Sequence, residues 1–320
     1  MSVTLTGGIT FSGITFANGS VPAPENTAAW FGGGYSSTIV DRITFATDTA
    51  TASVRGPLSL ARHYLAAAGN TTDGWFGGGS ISGNVPVSNV QRITYATDTA
   101  TASVRGPLSQ ARYRLAAAGD SEYGWFGGGA LSQPSALSTV DRITYATDTA
   151  TASVRGPLSS ARYGMAAAGN SDYSWRGGGG IYSGVLVSYS TVDRITYATD
   201  TATASVRGPL SLARQQLAAA GNTTDGWFGS GYAGGFKSTV DRITYATDTA
   251  TASVRGPLSS AREQLAAAGN FTDGWFGGGY NLGGHSTVDR ITYATDTATA
   301  TVRGPLSVAR FGLAAAGGVQ

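Results

Sequence analysis

Residues 140–159 read VDRITYATDTATASVRGPLS, and this phrase decides the fold because the chain repeats it six times with almost no change. The copies begin at residues 40, 90, 140, 192, 240 and 288. A tryptophan accompanies each copy, and successive tryptophans lie between 45 and 52 residues apart: Trp30, Trp75, Trp125, Trp175, Trp227 and Trp275. A period of this length predicts a repeat protein in which each copy folds into one supersecondary unit.

Only one segment of the repeat changes its length. Each copy contains an Asp-Arg pair (Gln91-Arg92 in the second copy) and the tetrapeptide AAAG, and the spacing from the pair to AAAG and on to the next Trp is constant. The segment between the glycines that follow Trp and the next TVDR-like sequence differs in length from copy to copy. The chain is therefore a frame of fixed length that carries one variable loop in each repeat.

Each repeat is predicted to form four short strands separated by turns, as residues 115–160 illustrate. β-Branched and aromatic residues favour strands, and GDSEYG and Thr147-Asp148-Thr149 supply turn residues, with Asp148 expected to bond its own backbone. Gly156-Pro157 ends the last strand because proline cannot continue a ladder. No segment has a convincing helical period, so we expect almost no helix. The expected strands are 115–118, 125–127, 139–146 and 150–155.

Six units of four strands predict an all-β fold, a six-bladed β-propeller. The first repeat lacks a preceding LAAAG, whereas the chain finishes with LAAAG at 313–317. The C-terminal strand would therefore complete the first blade, and strands from both ends of the chain would close the ring without an open edge. The expected domains are an N-terminal β arm and linker at 1–25 and a propeller at 26–320, with blades at about 26–60 with 313–318, 65–110, 115–160, 165–212, 217–260 and 265–308.

Composition argues against several classes of function. The 320 residues include no cysteine, and the net charge is +2, so we expect no thiol chemistry and no binding to nucleic acid. There is no apolar run long enough to span a membrane, and the first residues do not resemble a signal peptide. His63 and His285 lie in dissimilar loops and no pair of carboxylates stands out. We therefore expect no metal, no cofactor and no enzymatic activity.

The order of these pieces resembles the kelch repeat over about residues 26–320. Arg112 precedes LAAAG, and WFGGG, ITYATD and TASVRGPLSQAR follow in that order. The family has a Trp about seven residues after its Tyr, but here Ser153 follows Tyr145 at about that distance, and the Trp of WFGGG is a candidate substitute. The resemblance implies a propeller that binds a ligand or a protein. The repeated phrase is also similar to repeats in virion structural and tail-fibre-like proteins of marine bacteriophages, which implies that the protein is located in a virion.

The kelch resemblance also implies where a binding surface would lie. In such propellers the loop between the second and third strands emerges on the same face as the link from one blade to the next, and we name this end the variable face. Its aromatic and polar residues suit stacking on sugars or packing against a protein, although drift of unconstrained loops is the alternative explanation. The candidate binding residues are Tyr35, His63, Tyr64, Tyr113, Arg114, Tyr163, Tyr182, Tyr189, Tyr232, Phe236, Tyr280 and His285.

The residues that recur in every repeat are expected to have structural roles. This applies to the six tryptophans and to the arginine that precedes each AAAG, because a planar guanidinium can tie strands and blades together through carboxylates and carbonyls. An anion-binding ring near the axis is the alternative for these arginines. They are Arg62, Arg112, Arg162, Arg214, Arg262 and Arg310.

Together these patterns favour a non-enzymatic virion protein that recognises a host. Residues 1–25 alternate apolar with small or polar residues, and they predict short strands that either cap the propeller or attach it to other virion proteins. We favour attachment because a closed ring leaves no edge for these strands to join. The variable face would bind a glycan or protein of the host surface, and a homo-oligomer is compatible with this arrangement. A hydrolase or lyase that acts on polysaccharide and an intracellular scaffold for a protein partner are the alternatives.

Overall fold

Six antiparallel sheets with four main strands each follow one another along the chain as the blades of a propeller. The computed structural model describes residues 2–4, 10–12, 27–132 and 134–317. In each blade the strands are arranged in order from an inner strand at the axis to an outer strand at the periphery. The predicted all-β, six-bladed propeller is therefore confirmed.

The inner strands consist mostly of alanine and glycine, and the second strands carry the tryptophans. Small side chains allow six strands to meet around one axis, where their AAAG segments line a cavity of about 70 Å³. The inner strands are Ala66–Gly69, Ala116–Gly119, Tyr163–Gly169, Ala218–Gly221, Ala266–Gly269 and Ala314–Ala316, and the second strands are Ala28–Gly32, Asp73–Gly77, Tyr123–Gly127, Tyr173–Tyr182, Asp225–Gly229 and Asp273–Gly277.

The third strands hold the Asp-Arg pair, and the outer strands are short edge strands. The third strands are Val40–Thr44, Val90–Thr94, Val140–Thr144, Val192–Thr196, Val240–Thr244 and Val288–Thr292, and the outer strands are Ser53–Arg55, Ser103–Arg105, Ser153–Arg155, Ser205–Arg207, Ser253–Arg255 and Thr301–Arg303. Two variable loops add strands of their own, namely Ser80–Ile81 paired with Val85–Pro86 in blade 2 and Leu186–Ser188 in blade 4.

The ring closes through strands from both ends of the propeller. Ala314–Ala316 supplies the inner strand of blade 1 and pairs antiparallel with Ala28–Gly32, with Ala316 opposite Trp30. This pairing satisfies the second strand of blade 1, which would otherwise be an exposed edge. The closure predicted from the unequal ends of the repeat array is therefore confirmed.

The third strand is shorter than the sequence predicts, and a one-turn 3-10 helix follows it. In blade 3 the strand ends at Thr144, so the predicted strand over 139–146 is too long and the expectation of almost no helix is wrong in this respect. The chain leaves the sheet because the ring of Tyr145 stacks on Trp75 of the preceding blade at a centroid distance of 3.7 Å. The 3-10 helices are Phe45–Thr47, Tyr95–Thr97, Tyr145–Thr147, Tyr197–Thr199, Tyr245–Thr247 and Tyr293–Thr295, with Ser82–Asn84 in a variable loop.

The aspartate of the Thr-Asp-Thr turn does not act as the sequence predicts. The Asp148 carboxylate accepts hydrogen bonds from Trp75 Nε1 at 2.8 Å and Arg92 Nη1 at 3.1 Å, and both donors belong to the preceding blade. The side chain therefore joins two blades instead of bonding its own turn. The same contact joins every neighbouring pair of blades: Trp30–Asp98, Trp75–Asp148, Trp125–Asp200, Trp175–Asp248, Trp227–Asp296 and Trp275–Asp48.

Part of the N-terminal arm also forms strands. Ser2–Thr4 pairs antiparallel with Thr10–Ser12, and the remaining residues of the predicted arm and linker lie outside the described part of the chain. No helix among the described residues is both long and apolar enough to cross a membrane.

Candidate functional site

The variable loops and the links between blades meet at one end of the propeller, which is the variable face. In blade 5, the Gln215 N–H donates to the Tyr232 carbonyl at 3.1 Å, and in blade 6 the Glu263 N–H donates to the Tyr280 carbonyl at 3.0 Å. In each pair the first residue belongs to a link and the second to a variable loop. The repeated frame therefore holds the two kinds of variable segment against each other.

The six links form a closed ring of backbone hydrogen bonds around the axis. We call the arginine that precedes each LAAAG-like inner strand the frame arginine. The second residue after each frame arginine has a φ between 56° and 67°. Its N–H donates to the carbonyl of the equivalent residue in a neighbouring link at 2.6 to 2.8 Å. This axial ring fixes six backbone positions that carry four different residue types. In order around the axis they are Tyr64, Arg114, Gly164, Gln216, Gln264 and Gly312.

Eight aromatic rings form a continuous aromatic arc on the variable face. Each ring lies near the next, with centroid distances from 4.6 Å for His63–Tyr64 to 6.2 Å for Tyr64–Tyr113. Tyr35 is 60% exposed, whereas His63 and Tyr113 are buried beneath the surface. In spatial order the arc contains Tyr232, Phe236, Tyr280, Phe311, Tyr35, His63, Tyr64 and Tyr113.

The structure leaves several predicted binding residues outside this arc. Tyr182 is exposed in the long loop of blade 4, and within the described ranges neither it nor Tyr189 has a ring contact with the arc. His285 pairs through its backbone with Arg310. Tyr163 is buried, and its ring centroid lies 5.5 Å from the Arg114 guanidinium. Tyr182, Tyr189 and His285 therefore share the face with the arc without belonging to it, whereas Tyr163 packs with Tyr113 at its end.

Phe311 belongs to the arc but was not predicted as a binding residue. It lies in the link from blade 6 to the closing strand, and its ring contacts Tyr280 at 5.2 Å and Tyr35 at 5.4 Å. The signal that could have identified it is its place directly after Arg310, where the links vary between repeats. Its contacts join residues from opposite ends of the chain, so no local pattern could reveal them.

Charged groups near the axial ring have shifted pKa values. Burial raises the pKa of Glu263, although a hydrogen bond from Gln264 Nε2 to Glu263 Oε1 at 2.9 Å and the charge of Arg114 oppose this rise. Burial also lowers the pKa of His63, against a hydrogen bond with Asn84. The Arg114 guanidinium lies 4.5 Å from the centroid of Tyr64, in a cation–π contact. A positive and a negative group therefore share the centre of the face.

The frame arginines form buried ion pairs and hydrogen bonds within the protein. Arg112 lies 3.0 Å from Asp141 with both side chains fully buried, and four other blades contain an equivalent pair. Arg62 is the exception because Gln91 replaces the aspartate. It donates to the carbonyls of Asn89 and Phe76, and burial lowers its pKa to about 9. These contacts favour the structural role over an anion-binding ring.

No group of three or more His, Asp or Glu side chains is placed to hold a metal ion within residues 27–132 and 134–317.

The six tryptophans, which were expected to be structural, each stack on an aromatic ring of a neighbouring blade at a centroid distance of 3.7 to 4.0 Å. Trp125 and Tyr197 are nearly parallel, with an interplanar angle of 2°. This contact shows how the Trp of WFGGG fills the space between blades.

Comparison with known proteins shows the fold. No protein-family model matches the chain, and no curated protein matches it. A solved structure described as "Structure of YjhT" is similar to it with a TM-score of 0.71 at 12% sequence identity, and the match covers 88% of this chain and 96% of that chain. Identity this low shows a shared fold alone. The chain is thus a six-bladed β-propeller with an aromatic arc and an axial ring on its variable face.

Proposed function

We propose that this chain is a non-enzymatic recognition propeller whose variable face binds a glycan on a host-cell surface. The aromatic arc is the observation that carries this proposal. Tyr35 is exposed and Tyr280 and Phe311 are partly buried, and their rings present flat apolar surfaces on a frame that holds them in place. Tyrosine supplies amphipathic contact area at low cost in conformational entropy, and such surfaces suit stacking on sugar rings.

The length of the arc favours an extended ligand. The rings from Tyr232 through Tyr280 to Tyr35 lie at successive distances of 5 to 6 Å across three blades, with Tyr35 exposed and the others partly buried. A single sugar would cover one or two of these rings, whereas an oligosaccharide could contact several in turn. An oligosaccharide is therefore the ligand class that we assign to the arc.

We further propose that the propeller is part of a phage particle and that its N-terminal strands attach it there. The similarity of the repeated phrase to virion proteins supports this location, and the pairing of Ser2–Thr4 with Thr10–Ser12 supplies strands to which a partner could add. Mass spectrometry of purified particles tests this part of the proposal separately. Presence of the chain in the particles is expected, and its absence from them would contradict the proposed location.

Binding of the purified chain to an array of cell-surface oligosaccharides tests the function of the arc. Tyr35→Ala is expected to weaken binding about tenfold, as for a central aromatic contact. Tyr182→Ala is the matched control, since Tyr182 is an exposed tyrosine on the same face but outside the arc. An equal loss of glycan binding in the Tyr182→Ala and Tyr35→Ala variants would contradict the role of the arc.

Two further results would redirect the proposal. If a protein of the host surface binds and no glycan does, and if Tyr35→Ala abolishes that binding, the face is right and the ligand class is wrong. If the chain cleaves a glycan that it binds, the polysaccharide-acting enzyme becomes the better assignment. Chromatography of the bound glycan after prolonged incubation measures this, and we expect it to be recovered intact.

A further inference from the structure

The axial ring surrounds a small pocket at the centre of the variable face. The pocket has a volume of about 70 Å³, which is room for a few non-hydrogen atoms. The side chains of the axial ring form its rim. Its floor is apolar and consists of Leu65, Leu115, Met165, Leu217, Leu265 and Leu313.

One pair of opposite rim positions carries polar side chains, and we call the line between them the polar diameter. Another pair of opposite rim positions consists of glycines. Arg114 and Gln264 occupy positions three places apart in a ring of six, so they lie on opposite sides of the axis. Gly164 and Gly312 are opposite in the same way and place no side chain over the pocket. The frame around these positions is repeated almost without change, and the rim side chains are what differ at the axis.

Gln216 and Gln264, together with Glu263 beside the rim, carry buried hydrogen-bond acceptors that lack donors among the described residues. Gln264 donates through its amide nitrogen to Glu263 Oε1, and this bond leaves Gln264 Oε1 and Glu263 Oε2 without a partner among the described residues. Gln216 Oε1, from the neighbouring link, is also buried and unpaired. Glu263 is only 7% exposed, so its carboxylate is largely shielded from water. Buried acceptors without donors are unfavourable, and a ligand that donates to them would remove this cost.

The other side of the polar diameter presents a cation. The Arg114 guanidinium is held over Tyr64, and its Nε has no hydrogen-bond partner in the described ranges. No ion pair joins Arg114 to a carboxylate of these residues, although its charge acts on Glu263. The two opposite charges are therefore close enough to attract each other and too far apart to pair.

We propose that this axial pocket binds a small zwitterion that carries an ammonium and a carboxylate group, such as a free α-amino acid. The ammonium group donates hydrogen bonds to Gln216 and Gln264 on the rim, near the Glu263 carboxylate that Gln264 contacts, and the ligand carboxylate pairs with Arg114. A short apolar side chain contacts the leucine floor. The ligand carboxylate meets the Arg114 cation, the ammonium group lies near the Glu263 carboxylate, and its hydrogen bonds satisfy the unpaired acceptors of Gln216 and Gln264.

Calorimetric titration of the full chain with L-alanine tests the proposal. Saturable binding of L-alanine is expected, and propionate and ethylamine, which each lack one of the two charges, are expected to bind at least about tenfold more weakly. Arg114→Gln and Glu263→Gln should each reduce alanine affinity by a similar factor. Gln216→Leu provides a second test on the acceptor side that leaves both charges in place. Glu122→Gln, at an exposed position in the turn of blade 3, is the matched control.

Three outcomes would overturn the assignment. They are absence of saturable binding by L-alanine, equal binding of alanine and ethylamine, and unchanged affinity in the Arg114→Gln and Glu263→Gln variants. Tyr64 belongs to both the arc and the rim, but Tyr35 does not line the pocket, so Tyr35→Ala is expected to leave alanine binding unchanged. Loss of glycan binding with retained alanine binding would therefore separate the two sites.

Discussion

Arg176 occupies a position where every other blade has a phenylalanine. In blade 3 the ring of Phe126 packs against Gly77 of the preceding blade, and in blade 4 Arg176 takes this place against Gly127. Arg176 is fully buried, donates to the Trp125 carbonyl at 2.9 Å and forms no ion pair with the described residues. Burial lowers its pKa to about 10. A buried cation without a carboxylate partner loses its hydration at a cost in stability.

Replacement of this arginine by the residue of the other blades is therefore expected to stabilise the protein. Arg176→Phe, combined with Ser174→Gly to restore the neighbouring blade sequence, should raise the free energy of unfolding by about 1–4 kcal/mol. Denaturant unfolding measures the change. Phe126→Arg is the reverse control and should destabilise the protein by more than about 4 kcal/mol. A less stable double variant would show that Arg176 makes a favourable contribution.

The raised pKa of Glu263 predicts how stability depends on pH. The folded protein holds this proton more tightly than the unfolded chain, whose carboxyl has the ordinary pKa of 4.5. The stability contributed by this group is therefore complete below pH 4.5 and is lost as pH rises through the raised pKa. The glutamine of the Glu263→Gln variant cannot ionise. The melting temperature of this variant minus that of the unchanged protein should therefore increase as pH rises through this range.

Thermal melting at a series of pH values measures this difference. Gln264 and Arg114 are the groups that oppose the rise in the pKa of Glu263. Glu122→Gln, at an exposed carboxyl in the turn of blade 3, is the control. A melting-temperature difference for Glu263→Gln that falls as pH rises would contradict the direction of the pKa shift.

At the scale of elements, the 3-10 turn of each blade binds the preceding blade through its aspartate. Asp148 accepts hydrogen bonds from Trp75 and Arg92 and lies 3.3 Å from Arg105 Nε. Asp148→Ala leaves these donors without an acceptor and should reduce the free energy of unfolding by about 3–5 kcal/mol. Asp172→Asn, at an exposed turn position, should change it by less than about 0.5 kcal/mol. Equal effects in denaturant unfolding would show that the contact between blades adds nothing.

The elements also show how far the sequence could predict the structure. Propensity and turn residues indicated the order of the four strands, because those signals are local. The 3-10 turn was missed because its cause is the stacking of Tyr145 on Trp75, seventy residues earlier in the chain. The partners of Asp148 were missed for the same reason. The gathering of the loops on one face followed from the kelch resemblance, whereas the contacts within the arc depend on how the closed ring places Phe311 beside Tyr35.

At the scale of the whole molecule, stability depends on the strand that closes the ring. A chain truncated after Gly312 lacks the inner strand of blade 1, so the edge of Ala28–Gly32 would be exposed. This chain is expected to melt at a lower temperature and to aggregate, because an unpaired apolar edge favours association. Melting curves and gel filtration measure both effects. Removal of residues 318–320 alone is the control, and equal behaviour of the two truncated chains would contradict the role of the closing strand.

The molecule combines a repeated frame with a variable face whose loops differ from blade to blade. The frame joins each blade to the next through the same aspartate and tryptophan, and it thereby holds the aromatic arc and the axial ring in fixed positions. Recognition by the variable face is the central claim that follows. A crystal structure of the chain with an oligosaccharide identified on the array tests it most directly. We predict sugar rings stacked along Tyr232, Tyr280 and Tyr35, whereas an oligosaccharide bound on the opposite face or along the outer strands would contradict the account.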